Sequence, residues 1–198
     1  MTTDVDTILE DLNDLVSDWT GCADCELCRA RISQVWFRME GDPDPGGIML
    51  LGEAPGADED EQGIPFVGRA GAKLNRLAIE AGIDRAFITN TVLCRPPGNR
   101  NPKKPELRSC WPRLQRTIEI IKPSVIVCAG NVPAQWLLET DKSMRSMSSK
   151  VFRWDLGDVH TARVIPVYHP AYLIRQRSAS MDRATIDRLA LAKRIAGR

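Results

Sequence analysis

Four of the six cysteines are spaced so that they could bind one metal centre together. Cys25 and Cys28 are separated by two residues, which lets both thiolates reach the same centre, and Cys94 and Cys110 could supply two further ligands in the folded chain. Four thiolates suit either tetrahedral zinc or an iron–sulfur cluster. The spacing alone slightly favours zinc, because a single CxxC pair with distant partners is common in zinc sites.

The other two cysteines carry a weaker signal. Cys22 could take the place of Cys25 or be a spare thiol, while Cys128 lies inside an apolar segment, which predicts a core position. An alternative for the whole set is that every cysteine is an unliganded core residue. The acidic N-terminal segment does not resemble a signal peptide, so we expect a cytoplasmic protein whose thiols stay reduced.

A second set of chemically capable residues follows four predicted strands. These apolar segments are residues 48–51, 87–93, 125–128 and 164–168. Glycine, proline and polar residues follow these strands at 52–56, 94–100, 130–131 and 169–171, and the second strand itself contains Thr89-Asn90. In open parallel sheets, ligands bind in the crevice beyond the carboxyl ends of the strands. The sequence therefore predicts that these residues form one site.

The elements that must position this site alternate along the chain. Helical patterns occupy residues 5–19, 70–81, 105–121, 132–139 and 181–195. Pro112 is predicted to divide the third into two short helices. Alternating strands and helices predict an α/β fold, three-layer α/β/α with a central, mostly parallel four-stranded sheet. We expect residues 1–198 to form a single domain, with an irregular connection at 42–47.

The charge distribution favours a protein that binds phosphate on one face. The formal net charge is only +1, but residues 95–116 contain seven basic residues against the single acid Glu106, and residues 175–198 are also basic. An ordinary solvated surface is the alternative. No apolar segment is long enough to cross a membrane, and no exposed apolar stripe indicates an oligomer, so we expect a monomer.

Six short motifs occur in order along the chain. They are Gly52-Glu53-Ala54-Pro55-Gly56, Glu59-Asp60, the segment QGIPFVGRAG at 62–71, Thr89-Asn90, CRPPGNR at 94–100 and Tyr168-His169-Pro170-Ala171. Together they resemble the family 4 uracil-DNA glycosylases, over about residues 25–175. The resemblance implies a DNA repair enzyme with a [4Fe-4S] cluster instead of zinc. Its ligand pattern falls on Cys25, Cys28, Cys94 and Cys110, in segments 22–28 and 94–110.

The resemblance also implies how uracil is recognised. An enzyme acting on a base in DNA must take that base out of the stack and bind its edge in a pocket. Asn90 is the expected reader, because one side-chain amide offers a donor to uracil O4 and an acceptor for N3–H. Phe66 offers a ring on which the base can stack. Without the resemblance, Asn90 would be interpreted as a turn residue and Phe66 as a core residue.

The catalytic roles implied by the resemblance fall on a histidine and a carboxylate. His169 is expected to donate a hydrogen bond to the charge that develops at uracil O2. Glu53 is expected near the sugar, where it activates water or stabilises the cationic sugar, and Glu59 is the alternative carboxylate. Ala54 follows the Gly52-Glu53 pair at a position where the best-known uracil glycosylases have an aspartate, and both Gly52 and Ala54 are expected to line the pocket.

The DNA backbone is expected to contact two segments. In the Pro- and Gly-rich loop after the second strand, the residues expected to bind phosphate are Arg95, Arg100, Lys103 and Lys104. The segment 172–175, with Tyr172 and Arg175 at its ends, is a candidate wedge that fills the gap left by the flipped base.

Three alternatives remain at this stage. A related sister group binds uracil-DNA tightly or covalently without turnover, but it carries a histidine-bearing insertion, and residues 95–109 contain no histidine. A non-catalytic iron–sulfur module that binds DNA would not depend on Asn90 or His169. A cytoplasmic zinc protein without a DNA role would be colourless when purified.

Overall fold

A computed structural model describes residues 5–41 and 46–197. Its described strands are β1 (Phe37–Glu40), β2 (Ile48–Gly52), β3 (Ala86–Asn90), β4 (Val125–Ala129), β5 (Phe152–Leu156) and β6 (His160–Val167). Its α-helices are α1 (Val5–Trp19), α2 (Ala57–Gln62), α3 (Arg69–Glu80), α4 (Lys104–Ile121), α5 (Asn131–Leu137), α6 (Met144–Met147), α7 (Pro170–Gln176) and α8 (Ala179–Ala196). Most of the predicted irregular connection, residues 42–45, lies outside the described residues.

The strands form one mostly parallel sheet with the order β1-β3-β2-β4-β6-β5. The four central strands are parallel and correspond to the four predicted ones. The predicted number of strands was wrong, because antiparallel β1 and β5 extend the sheet at its two edges. Both carry charged side chains between apolar ones, so they lack the continuous apolar run that marks a buried strand.

Helices cover both faces of the sheet, which confirms the α/β class. On one face α1 and α4 bury Ile8, Leu12, Leu114 and Ile118 against β2 and β4. On the other, α3 and α8 bury apolar side chains against the opposite side of the same strands. None of the helices within 5–41 and 46–197 is long and apolar enough to cross a membrane.

The predicted division of the helix at 105–121 was wrong, since this helix is α4, which continues through Pro112. Proline removes one backbone donor, which leaves the carbonyl of residue 108 without its usual partner. Pro112 and Arg108 are both exposed, so water can satisfy that carbonyl and the helix need not break. Cys110 and Arg113 lie on the buried face of this continuous helix, and Arg113 contacts the end of β3.

Candidate active site and four-cysteine group

The carboxyl ends of β2 and β3 and the loop before α3 come together at Gly52, where the sequence predicts the base pocket. Gly52 and Asn90 are register partners on neighbouring parallel strands. A Cβ atom on Gly52 would overlap Asn90 Oδ1 and lie 2.5 Å from Cζ of Phe66. Asn90 is 3% exposed and Phe66 is 7% exposed. The missing side chain of Gly52 thus leaves room for the Asn90 amide and the Phe66 ring to lie side by side, and their roles in binding a base stay a prediction.

The conformation of Phe66 is fixed by its surroundings. Its φ of 58° is unusual for a residue with a Cβ, and such strain persists only where neighbouring groups hold it. A Cβ on Gly71 would overlap the Phe66 carbonyl, so the first turn of α3 approaches this backbone closely. Asn75 Nδ2 lies 3.5 Å from the Phe66 carbonyl oxygen, and Arg38 donates to Asn75 Oδ1 at 3.0 Å. Sequence patterns did not identify this support.

Replacing Gly71 with alanine tests whether this support matters for the pocket. We expect Gly71→Ala to displace Phe66, to cost about 1–3 kcal/mol of stability through overpacking, and to raise KM for uracil-containing DNA. Ala72→Gly is the matched control, because this exposed helical position loses about 1 kcal/mol without touching Phe66. Thermal unfolding and steady-state kinetics measure both effects. An equal rise of KM in both variants would contradict the specific role of Gly71.

His169 lies at the amino end of α7, where one of its ring nitrogens accepts a hydrogen bond. The Ala171 backbone N–H donates to Nδ1 at 3.2 Å, which makes Nδ1 the acceptor and assigns the proton of a neutral ring to Nε2. Burial lowers the pKa of His169, and the positive charge of Arg175 acts in the same direction. A Cβ on Gly130 would lie 3.1 Å from Cδ2 of His169, so this glycine makes room for the ring. At neutral pH the ring is therefore neutral, and no side-chain hydrogen bond within 5–41 and 46–197 uses its Nε2–H.

The two candidate carboxylates differ in how they are bound. Glu59 accepts backbone N–H bonds from Gly56 at 3.0 Å and Gly68 at 2.8 Å, so both its oxygens tie the motif loops together. Glu53 is half-buried, and burial raises the pKa of its side chain. The side-chain hydrogen bonds within 5–41 and 46–197 do not include its carboxylate, while its backbone carbonyl accepts from the Thr91 hydroxyl. Glu53 thus retains free acceptor capacity that Glu59 has already used.

The basic side chains of the predicted DNA-binding loop are not equally available to bind phosphate. Arg100 forms a two-pronged ion pair with the buried carboxylate of Glu106, with N–O distances of 2.8 and 2.6 Å. The positive charge of Arg100 is therefore largely compensated within the loop. Arg95 Nε donates to Asn99 Oδ1 in the same loop at 2.7 Å. Lys103 and Lys104 are exposed, and the ion pairs of the described residues include neither of them.

The side chains of the predicted wedge segment, residues 172–175, differ in their exposure to solvent. Tyr172 is 36% exposed and stacks on Tyr168 with ring centroids 5.4 Å apart, which holds it at the surface next to His169. Leu173 is 2% exposed and packs in the core, so this residue cannot enter DNA and the segment does not act as a whole. Arg175 is exposed one turn further along α7.

The cysteines predicted as ligands lie in one region of the fold. Cys94 and Cys110 are buried side by side in an apolar patch with Leu27 and Leu107, and Cys25 packs against that patch. Cys128 is 0% exposed within β4, which confirms its predicted core position. Within 5–41 and 46–197, no three His, Cys, Asp or Glu residues are placed to hold a single metal ion.

Two arginines contact this four-cysteine group. Arg31 Nη1 donates to Cys94 Sγ at 3.5 Å and to the Cys22 carbonyl at 2.7 Å. Burial lowers the pKa of Arg31, but the hydrogen bond to Cys94 and the neighbouring thiols Cys28 and Cys22 outweigh it, so the pKa is raised. Burial lowers the pKa of Arg113, against the opposing influence of Cys110 and Cys94. Positive charge thus lies beside the thiols, as a site for an anionic centre requires.

Arg113 is a functional candidate that the sequence analysis missed. It is 1% exposed, and its Nη2 donates to the Asn90 carbonyl at 2.9 Å and to the Thr91 carbonyl at 3.2 Å. A possible signal was its place on the apolar face of α4, between Cys110 and Thr117, where a charged residue is unexpected.

Comparison with known proteins agrees with this arrangement. The family model described as the uracil DNA glycosylase superfamily matches residues 39–191. The chain is 38% identical over 188 residues to the type-4 uracil-DNA glycosylase of Thermotoga maritima, covering 93% of this chain and 94% of the relative. It is 35% identical over 179 residues to the enzyme of that name from Archaeoglobus fulgidus, covering 84% of each. As its motifs predicted, the chain belongs to the type-4 group of the uracil-DNA glycosylase superfamily.

Proposed function

We propose that this protein is a base-excision repair enzyme that flips uracil out of DNA and hydrolyses its N-glycosidic bond, leaving an abasic site without cutting the strand. The observation that carries the proposal is the pocket in which Asn90 and Phe66 meet over Gly52. Membership of the family and the names of its relatives support the same activity.

Asn90 gives the pocket its preference for uracil. Its amide can donate to O4 and accept from N3–H of uracil, while cytosine presents the opposite pattern at these two positions. A bound cytosine would leave polar groups unpaired in a buried site, which costs about 1–3 kcal/mol for each such group. Phe66 supplies the stacking surface, and the missing side chain of Gly52 leaves space for the ring.

Bond cleavage uses two groups of different character. As the glycosidic bond breaks, negative charge accumulates on uracil and positive charge on the sugar. His169 donates its Nε2–H to uracil O2, where the fixed acceptor role of Nδ1 keeps the donor aimed. Glu53 activates water or stabilises the sugar cation, and its unused carboxylate favours it over Glu59 for that role. Ala54, which was expected to line the pocket, packs against the apolar patch around Cys94 and Cys110 and supplies no acid–base group.

DNA binding is assigned to the loop after β3 and to α7. Lys103 and Lys104 neutralise phosphates, with Arg95 in support, while Arg100 shapes the loop through Glu106. Tyr172 is the residue that occupies the gap left by the flipped base, and Arg175 contacts the flanking backbone. We assign this work to one domain of residues 1–198 that acts as a cytoplasmic monomer on single- or double-stranded DNA.

The thiols fit an iron–sulfur cluster better than a single ion. Four irons hold their sulfur ligands further apart than one ion does, which agrees with cysteines that are neighbours without forming a single-ion site. Cys25, Cys28, Cys94 and Cys110 would hold a [4Fe-4S] cluster, beside the guanidinium groups of Arg31 and Arg113. When bound, the cluster would link the segment 22–28 to both ends of the DNA-binding loop.

The proposed activity is tested with a labelled duplex that carries one U:G pair. We expect anaerobically purified protein to produce alkali-labile sites at the uracil. Asn90→Ala should act about 30-fold more slowly, because two hydrogen bonds of about 1 kcal/mol each are lost. A gel after alkali treatment measures both.

Two other results would reject the proposal. A shifted band that survives denaturation would identify the covalent sister activity. Absence of both product and adduct from iron-containing protein would leave a non-catalytic module that binds DNA, and colourless, zinc-containing protein would reject the cluster.

A further inference from the structure

Arg113 occupies a position that is costly for a positive charge. Its side chain is buried between α4 and the end of β3, and Nε has no hydrogen-bond partner among the described residues. The ion pairs formed within 5–41 and 46–197 do not include it. Its side-chain hydrogen bonds go to neutral oxygens, and a buried cation with such partners is stabilised by a nearby anion, because neutral acceptors do not replace the lost hydration.

The nearest source of negative charge is the four-cysteine group. Cys110 precedes Arg113 by three residues on the same helix face, and both Cys110 and Cys94 influence its guanidinium. An iron–sulfur centre bound by four thiolates carries a net negative charge. Arg113 fits such a centre because it places a fixed, permanently charged guanidinium next to two of the thiols.

The same guanidinium also holds the backbone that carries Asn90. Both hydrogen bonds from Nη2 go to the main chain at the point where β3 ends, at Asn90 and Thr91. A third contact, 3.5 Å from Nη1 to the Thr89 hydroxyl, holds the preceding residue. The orientation of the Asn90 amide depends on this backbone, since a shift of the carbonyl also moves the side chain attached to the same residue.

We propose that Arg113 is a positioning residue for uracil recognition, which couples the thiolate-bound metal centre to Asn90 by fixing the Asn90 carbonyl. This inference rests on the proposed function, and it deepens it by giving the metal centre a role in base selection. Two properties of Arg113 matter here. Its charge balances the centre, and its planar guanidinium holds the two carbonyl groups through Nη2 while Nη1 contacts the Thr89 hydroxyl. Lysine retains the first property and lacks the second.

The chain offers a matched control in Arg31. This arginine also donates to a ligand thiol, but its other contact is the Cys22 carbonyl, away from the pocket. Arg31→Gln should therefore affect only the metal centre, whereas Arg113→Gln should affect both the centre and uracil binding. Arg113→Lys should separate the two effects.

The experiment measures iron per chain, the rate of iron loss to a chelator, and the affinity for uracil- and cytosine-containing oligonucleotides. Affinities are measured on a Glu53→Gln background, so that substrate is not consumed. We expect Arg113→Lys to retain wild-type iron but to reduce the preference for uracil about tenfold, equivalent to about 1.4 kcal/mol. Arg31→Gln should lose iron faster and keep the preference, and Arg113→Gln should show both defects.

Three outcomes would overturn the inference. They are a wild-type uracil preference in Arg113→Lys, loss of iron by that charge-conserving variant, and an equal loss of preference in Arg31→Gln. Failure of the proposed function gives a different result, because the Glu53→Gln protein with Arg113 intact would then bind uracil- and cytosine-containing DNA equally.

Discussion

Glu53→Gln should reduce kcat for uracil excision by about 10²–10⁴-fold, the usual contribution of a positioned acid–base group. Glutamine conserves the size of the side chain but can neither take a proton from water nor stabilise a cationic sugar. Uracil binding should change little, because we propose that Asn90 and Phe66 supply the base contacts. Glu61→Gln is the matched control, since Glu61 is exposed on α2. Single-turnover excision on a U:G duplex measures the rate of bond cleavage separately from binding and product release.

The Glu53 carboxylate should also determine how the rate of excision depends on pH. Burial raises the pKa of Glu53, so its active, ionised form is lost at a higher pH than for an ordinary glutamate. Activity should fall as pH decreases through this raised pKa. Protonation of His169 gives a stronger donor, and its lowered pKa places that event at lower pH. A pH–rate profile that keeps the same acidic decline in Glu53→Gln would contradict this assignment.

The candidate site could be located in the sequence because it is marked by local signals. Strand ends are marked by the change from apolar residues to glycine, proline and polar residues, and parallel strands bring their carboxyl ends together. Gly52, Asn90 and His169 were each identified by this change. The structure places Gly52 and Asn90 as register partners and brings Phe66 against them, while His169 begins α7 directly after the β6 segment.

What the sequence could not predict depends on contacts between distant residues. The bonding of Glu59 requires Gly68 to lie near Gly56, which only the folded loop arranges. Pro112 is compatible with one helix because its face of α4 is exposed, a property of packing and not of the local sequence. The role of Arg113 depends on Asn90 and Cys94, which belong to other segments of the chain.

His169→Ala should reduce kcat by about 10²–10³-fold, the usual effect of removing one donor that stabilises a developing anion. The loss should fall on kcat more than on KM, because the hydrogen bond to O2 strengthens only as negative charge accumulates on uracil. His160→Ala is the matched control, since His160 is the only other histidine and its Nε2 lies 2.7 Å from the Pro123 carbonyl. Single-turnover rates with uracil-containing duplex measure the effect.

A substrate with a better leaving group separates this role of His169 from a purely structural one. 5-Fluorouracil stabilises negative charge on its own ring, so its excision depends less on a donor at O2. We therefore expect His169→Ala to lose much less activity on 5-fluorouracil than on uracil, while Glu53→Gln should lose similar activity on both bases. An equal loss on both bases in His169→Ala would instead mean that the ring only supports the start of α7, where Ala171 donates to its Nδ1.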